Sequence, residues 1–305
     1  MKKSFVICIV LVLLSLFIMT QREASATEGG GGAYPNGAED FMNGAVPPPG
    51  TYFLNYFIYY NADKLKIKDG SDIDDFDLKV TANTFRLIHV TKQQIFGGYW
   101  GMHVFVPILN IDVDMMGNGD SNFNLGDIIV DPFILSWHSK NWHFATGLDI
   151  FIPTGSSSDD RLANTSRNYW TFEPIFAFTY LSDGGFEVSS KFMYDFNTKN
   201  NDTKYQSGQE FHFDYLIGYQ FKPWSIGLNG YYYKQITDDE IDGDSVDNLG
   251  GLPVSDGFKG QVFAFGPAIK YDYKNMMFAL KYQHEVSVEN RPEGENFWFK
   301  FVYAF

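Results

Sequence analysis

Past residue 20 the chain has no apolar run of the roughly 20 residues that a helix needs to cross a bilayer. It has a single cysteine, Cys8, and only 23 Lys and Arg against 37 Asp and Glu, for a formal charge of −14. Each shortage excludes something. Without further apolar runs the chain is not a helical membrane protein. One thiol supports neither a disulfide framework nor a cysteine metal site. The acidic balance argues against nucleic acid and against anionic surfaces as partners.

What is abundant is aromatic side chains, 18% of the residues, with a mean hydropathy of only −0.20. A chain can be very aromatic and polar on average when apolar and polar residues alternate, as in a strand that faces lipid on one side only. The last ten residues show this most clearly. Phe297, Phe299, Phe301, Tyr303 and Phe305 occupy every second position, with Trp298, Lys300, Val302 and Ala304 between them. In water such a row would be an aggregation-prone edge; in a bilayer it is solvated, provided that the strand closes a barrel. A terminal Phe after alternating aromatics also resembles the C-terminal signal that the outer-membrane assembly machinery reads.

The other end reads as an export signal. Lys2 and Lys3 precede an apolar run from Phe5 to Met19, and Ala24-Ser25-Ala26 offers small residues for cleavage. Cys8 lies inside the run, not at the cleavage point where a lipoprotein needs it. Loss of residues 1–26 removes Lys2, Lys3, Arg22 and Glu23, a net +2, so −14 becomes −16, and the only thiol goes with them. Residues 27–50 are rich in Gly and Pro without apolar period and read as a flexible segment. A phosphate cradle at Gly29–Gly32 lacks the strand before it and the helix after it.

Residues 51–305 read as one all-β domain, a transmembrane antiparallel β-barrel of about 12 strands. Candidate strands are Thr51–Asn61, Phe76–Val90, Gln94–Ile108, Asp127–Trp137, Trp142–Ile152, Tyr169–Leu181, Phe186–Phe196, Gln209–Phe221, Trp224–Ile236, Gln261–Tyr273, Met276–Val286 and Phe297–Phe305. The second of these is weak, because Lys79, Asn83, Arg86 and His89 interrupt both faces. Short connections at 91–93, 138–141, 182–185, 222–223 and 274–275 alternate with long ones at 62–75, 109–126, 153–168, 197–208, 237–259 and 287–296. Short periplasmic turns and long extracellular loops on an even strand number are the pattern of bacterial outer-membrane barrels. Twelve aromatic rows are also too many for the interior of a soluble barrel.

The second half of the chain carries specific runs. They include Asn141-Trp142-His143, Arg161-Leu162-Ala163-Asn164, Arg167-Asn168-Tyr169-Trp170-Thr171-Phe172-Glu173-Pro174 and Tyr194-Asp195-Phe196-Asn197. Further runs are Tyr205-Gln206-Ser207-Gly208-Gln209-Glu210-Phe211-His212, Gly230-Tyr231-Tyr232-Tyr233-Lys234-Gln235 and Glu289-Asn290-Arg291-Pro292-Glu293-Gly294. From Gly126 to the end the sequence is similar to a family of Gram-negative outer-membrane proteins linked to the meta-cleavage pathway of phenol degradation. The resemblance implies an outer-membrane channel that admits small hydrophobic or aromatic compounds.

If the aromatic rows face lipid, the opposite rows face the lumen and hold Glu173, Glu187, Lys191, Asp195, Glu210, His212, Asp214, Lys281 and Glu285. Arg161 and Arg167, in or beside a long loop, are candidates to pair with Glu173, Asp195 or Glu210. Such groups either brace the barrel as an ion-pair network or form a constriction that orders a permeating solute. No catalytic residue is expected: His212, Asp214 and His143 lie on inward rows, and no Ser sits in a nucleophile elbow. No cofactor or metal site is expected either. The acidic loops around Asp112, Asp114, Asn118, Asp120, Asn122 and Asn124, and from Asp238 to Asp247, lack the spacing of a calcium loop and read as solvated charge. A divalent ion bridging them to lipopolysaccharide stays open. The expected partners are outer-membrane lipid, lipopolysaccharide, the assembly machinery and a small solute, around a monomer. The rival is a structural or adhesive barrel with a plugged lumen. A lipid hydrolase and a polyanion porin are more remote, the latter because carboxylates outnumber lysines on the inward rows.

Overall fold

The computed structural model describes residues 31–305 apart from 69–70, 74, 247, 250–251 and 254–255, so the signal-peptide reading of residues 1–26 lies outside the described residues. Among these residues no helix is long and apolar enough to cross a membrane. Twelve long strands form a single wall instead. They are β1 (Gly50–Lys66), β2 (Phe76–Ile95), β3 (Gly98–Met115), β4 (Ile128–His138), β5 (Trp142–Ile152) and β6 (Thr171–Leu181). The second half adds β7 (Phe186–Asn197), β8 (Glu210–Phe221), β9 (Trp224–Gln235), β10 (Gln261–Tyr273), β11 (Met276–Glu289) and β12 (Arg291–Ala304). Each pairs antiparallel with its neighbours in sequence. The last pairs with the first, from Tyr52 opposite Ala304 to Lys66 opposite Arg291, and this closes the barrel without an edge.

Side-chain alternation decides which residues meet lipid. Phe186, Phe196, Ile217, Tyr219, Phe221, Ile226, Leu228, Phe265 and Phe297 remain 41–49% exposed on the outer face. Their sequence neighbours on the inner face, among them Glu187, Asp195, Leu216 and Asn296, are buried. The outer rings touch across strands, as in Phe178–Phe192 at 6.3 Å, Phe192–Phe213 at 5.4 Å, Phe213–Tyr232 at 5.7 Å and Tyr215–Phe263 at 6.0 Å. Such pairs each add about 0.5–1.5 kcal/mol beyond burial.

Several boundaries differ from those expected. The turn placed at Thr91–Gln93 lies at Phe96–Gly97, whose φ values of +52° and +78° suit a two-residue hairpin turn with Gly second. Residues 91–93 instead stay within β2 at a register shift, where Thr91 Oγ1 donates to the Trp100 carbonyl at 2.9 Å. Three segments expected as loops are largely strand. β1 continues to Lys66, β3 continues to Met115 and returns as Asn118–Leu125, and β11 and β12 run to within one residue of each other at Asn290. Strands of 17, 20 and 18 residues in β1 to β3 exceed the roughly 10 that cross the bilayer. Beyond the lipid the backbone ladder still pairs, but the outward side chains need no longer be apolar, so the alternation fades before the strand does.

The weak second strand is resolved in the same terms. Arg86 points inward. Lys79 lies near the long-loop end and pairs with Asp77 at 2.6 Å, while His89 lies near the short-turn end against Thr51 at 2.9 Å. Asn83 faces outward within the apolar band, where Asn55 Nδ2 donates to its Oδ1 at 2.6 Å. Residues 31–49, within the segment read as flexible, run inside the barrel and are hydrogen-bonded to its wall.

Candidate functional site

The site is the barrel interior, where the inward rows of β6 to β12 meet the inserted segment. Asp214 on β8 accepts three hydrogen bonds from that segment: Tyr34 Oη at 2.8 Å, Gly37 N at 2.8 Å and Glu39 N at 2.9 Å. Lys281 on β11 donates to the carbonyls of Gly37, Ala38 and Glu39 at 2.6, 2.6 and 3.1 Å. Asp40 lies between Lys281, at 3.3 Å, and Lys300 on β12. Glu39 pairs with Arg86 at 3.0 Å, Glu187 accepts Met42 N at 2.6 Å, and Thr179 accepts Gly44 N at 3.0 Å. These groups satisfy a backbone of turns that has neither helix nor strand, which is why it can lie buried. Apolar contacts add to the hold, since Phe41 packs against Leu216 and Ala268.

Behind the segment the wall carries two further networks. Asp149 on β5 is met by Lys191 Nζ at 3.1 Å and by His103 Nε2 at 2.7 Å. The Arg86 guanidinium donates to His103 Nδ1 at 2.9 Å, so Nε2 carries the proton and donates to Asp149. Asp131, beside them, accepts the backbone N–H of Phe133 at 2.7 Å and of Leu148 at 2.8 Å. The other network joins Glu173, Asp195 and His212, with His212 Nε2 at 3.3 Å from Asp195 Oδ2 and 3.5 Å from Glu173 Oε2. The Tyr34 ring covers His212 at 5.1 Å. Nearer the long-loop end, Glu285 accepts from Tyr231 Oη, from Tyr60 Oη at 2.9 Å and from Gly294 N at 2.7 Å, and Arg291 lies 4.0 Å over the Tyr233 ring.

The interior is amphipathic. Alongside these charges an apolar cluster of Leu54, Tyr56, Ile88, Val90, Ile129, Phe151, Ile175, Met193 and Trp298 lines the wall and packs against Tyr34 and Ala38 of the segment.

The expected site residues divide accordingly. Glu173, Lys191, Asp195, Glu210, His212, Asp214, Lys281 and Glu285 are all buried inside the barrel, and Glu210 accepts Asn197 Nδ2 at 3.3 Å. Arg161 does not join them. It pairs with Asp120 at 2.8 Å in the extracellular loops, because residues 156–165 fold against the Asn118–Leu125 hairpin strand, where Ala163 N also donates to Asp120 at 2.9 Å. The Arg161 contact holds the Asp120 carboxyl well below the usual carboxylate range, at about 2. Arg167 sits at the loop base, its backbone N–H on Asp127 at 2.9 Å and its guanidinium 3.4 Å from the Gly32 carbonyl. Loop carboxylates expected as solvated charge are also structural: Asp238 takes Lys259 at 2.6 Å, and buried Asp239 accepts Gly208 N and Gln235 Nε2, both at 2.7 Å.

Sequence reasoning missed Glu39, Asp40, Asp131, Asp149 and His103. Asp131, Asp149 and His103 stand at inward positions of candidate strands, so alternation carried their signal. Glu39 and Asp40 had none, because the segment has no period.

A closed wall with an aromatic outer belt, a filled amphipathic interior, short turns at one end and long loops at the other defines an outer-membrane β-barrel of a Gram-negative bacterium. The family described as putative MetA-pathway of phenol degradation matches residues 62–301, and the chain belongs to it. The match starts well before Gly126, where the resemblance in sequence begins. A crystal structure of an outer membrane channel from Pseudomonas putida F1 overlays with a TM-score of 0.76 at 15% identity, covering 87% of this chain and 98% of that one. The translocator domain of the autotransporter NalP from Neisseria meningitidis gives 0.48 at 7% identity, with 86% and 91% covered. A Pseudomonas aeruginosa FadL homologue gives 0.42 at 8%, with 92% and 100% covered. Overlays as loose as these last two carry no argument. Among curated proteins, none matches the chain in sequence.

Proposed function

We propose that the barrel is a channel for uptake of small hydrophobic or aromatic compounds across the outer membrane, and that residues 31–49 control passage through it. The observation that carries this reading is the mixed interior. An apolar wall patch from Leu54 to Trp298 lies directly against a segment whose anchors are mainly hydrogen bonds and ion pairs. Polar anchors of this kind are re-formed with water when the segment moves, whereas a purely apolar plug would be held by its whole buried area. The vacated patch would offer aromatic and aliphatic side chains to an apolar solute. Membership of a family named for phenol degradation agrees with that solute class, and the channel description of the Pseudomonas putida F1 neighbour agrees with a channel. The chain acts as a monomer in this reading, with its Phe305 terminus recognised during barrel assembly.

The test is uptake of a radiolabelled monoaromatic solute at low external concentration by cells that carry or lack the protein. The proposal expects faster uptake with the protein present; equal rates would refute it. One observation favours the rival, a sealed structural barrel: the segment already fills the lumen through Asp214, Lys281, Lys300 and Glu187. A sealed barrel gives no difference in uptake and no change on removal of residues 31–49.

A further inference from the structure

The geometry points to a divalent transition-metal site inside the barrel, formed by Glu173 on β6, Asp195 on β7 and His212 on β8, and suited to Zn²⁺. Two groups in the interior bring a histidine and two carboxylates within 4.8 Å of one another: His103 with Asp131 and Asp149, and this one. The contrast between them carries the argument. In the first, both His103 nitrogens and both Asp131 oxygens are already spent on protein partners. In the second, the polar atoms are less committed: His212 Nε2 meets Asp195 Oδ2 at a long 3.3 Å, and Asp195 otherwise touches only the carboxyls of Glu173 and Glu210. Glu173 is fully buried, yet neither of its oxygens has a hydrogen-bond partner, and the same is true of Asp195 Oδ1 and His212 Nδ1.

A buried carboxylate without donors is unusual, because burial removes the water that would satisfy it. Lys191 does not fill the role. Its ammonium is 3.6 Å from Glu173 Oε1 and makes its shorter contact, 3.1 Å, with Asp149. Asp149, Glu210 and Asp214 also face this region, so carboxylates exceed cations there. A divalent cation supplies the missing charge.

Distances fit as well. With zinc–ligand bonds of about 2.1 Å, the edges of a tetrahedron are about 3.4 Å. His212 Nε2 is 3.3 Å from Asp195 Oδ2 and 3.5 Å from Glu173 Oε2, long for hydrogen bonds and near that edge length. The three ligands come from adjacent strands, so the sheet fixes their spacing, and one imidazole with two carboxylates is a donor set that zinc accepts. The sequence alone suggested no metal, because the three residues are spread over 40 positions with no ligand motif.

The test uses the full chain refolded in detergent and freed of metal by chelation. Zinc is titrated in competition with a chromophoric chelator, and the bound ion is examined by X-ray absorption. The expected result is one zinc per chain, held at micromolar free zinc or below, with a shell of a single imidazole and oxygen donors. Glu173→Gln and His212→Gln should each weaken binding by roughly 100-fold or more. His138→Ala and His143→Ala, which remove the exposed pair whose Nδ1 atoms are 3.0 Å apart, should leave binding unchanged. Absence of stoichiometric binding overturns the proposal. So does a shell with two or more imidazoles, or loss of binding in the His138 and His143 variants. The absorption measurement decides on the unmutated chain even where a variant fails to fold.

Discussion

Asp40 lies 1% exposed between the ammonium groups of Lys281 and Lys300. Its loss would take from two buried cations the carboxylate that they share, which costs up to about 3–5 kcal/mol where the site stays dry. The inserted segment has a cheaper response, which is to leave and let water reach the lysines. Asp40→Ala is therefore expected to expose residues 31–49, and limited proteolysis should cut there at least about tenfold faster, equivalent to 1.4 kcal/mol. An unchanged cleavage rate would contradict the anchoring role. In the extracellular loops, the Asp120 carboxyl is lowered to about 2 by Arg161. A lowered carboxyl stabilises above its ordinary value near 4 and loses that contribution as pH falls towards 2. The loop at 156–165 should thus keep its protease resistance at pH 5 and lose part of it near pH 2; loss already between pH 7 and 5 would count against the pairing. At this scale the inward carboxylates were legible, since a period of two sorts Asp195, Asp214 and Glu285 to one face without knowledge of partners. Arg161 was not, because pairing between two loops leaves no periodic trace. Nor was Asp40, whose segment is held largely through backbone groups that every residue has.

Among the elements, the inserted segment lies directly against the backbone of the wall at Gly44. A Cβ there would lie 2.4 Å from both Cα and C of Phe178, which are backbone atoms of β6 and cannot turn aside. Gly44→Val should displace the segment and raise conductance with the barrel intact; a variant with unaltered conductance would show that the contact is not restrictive. The wall has its own test in the Asn55–Asn83 pair, which lies between the outward aromatics Phe53, Phe57 and Phe85. Asn55 Nδ2 also reaches the Thr84 carbonyl at 3.3 Å. Asn83→Ala removes its main acceptor in a setting without water, and the barrel should lose about 1–3 kcal/mol, read as a shift in the urea midpoint in lipid vesicles. No shift would mean that the pair is hydrated. The strands were legible because lipid imposes alternation, most weakly on the second, where Asn83 faces outward. Their ends on the long-loop side were not, since β1 to β3 continue past the lipid as paired backbone, where outward side chains are free to be polar.

For the whole molecule, closure between β1 and β12 gives the terminal aromatic row its meaning: Phe297 to Tyr303 are the outer face of the strand that removes the edge. The same closure makes a lumen, and residues 31–49 then decide what the lumen can pass. That combination was only half visible in the sequence. The barrel followed from alternation, while a Gly- and Pro-rich stretch read as flexible turned out to be the most heavily hydrogen-bonded guest of the interior. Single-channel conductance in a planar bilayer, with the full barrel compared against a chain lacking residues 31–49, addresses this most directly. The account expects small, infrequent conductance for the full barrel and a several-fold larger, steady one after the deletion. Equal conductance in the two would contradict it.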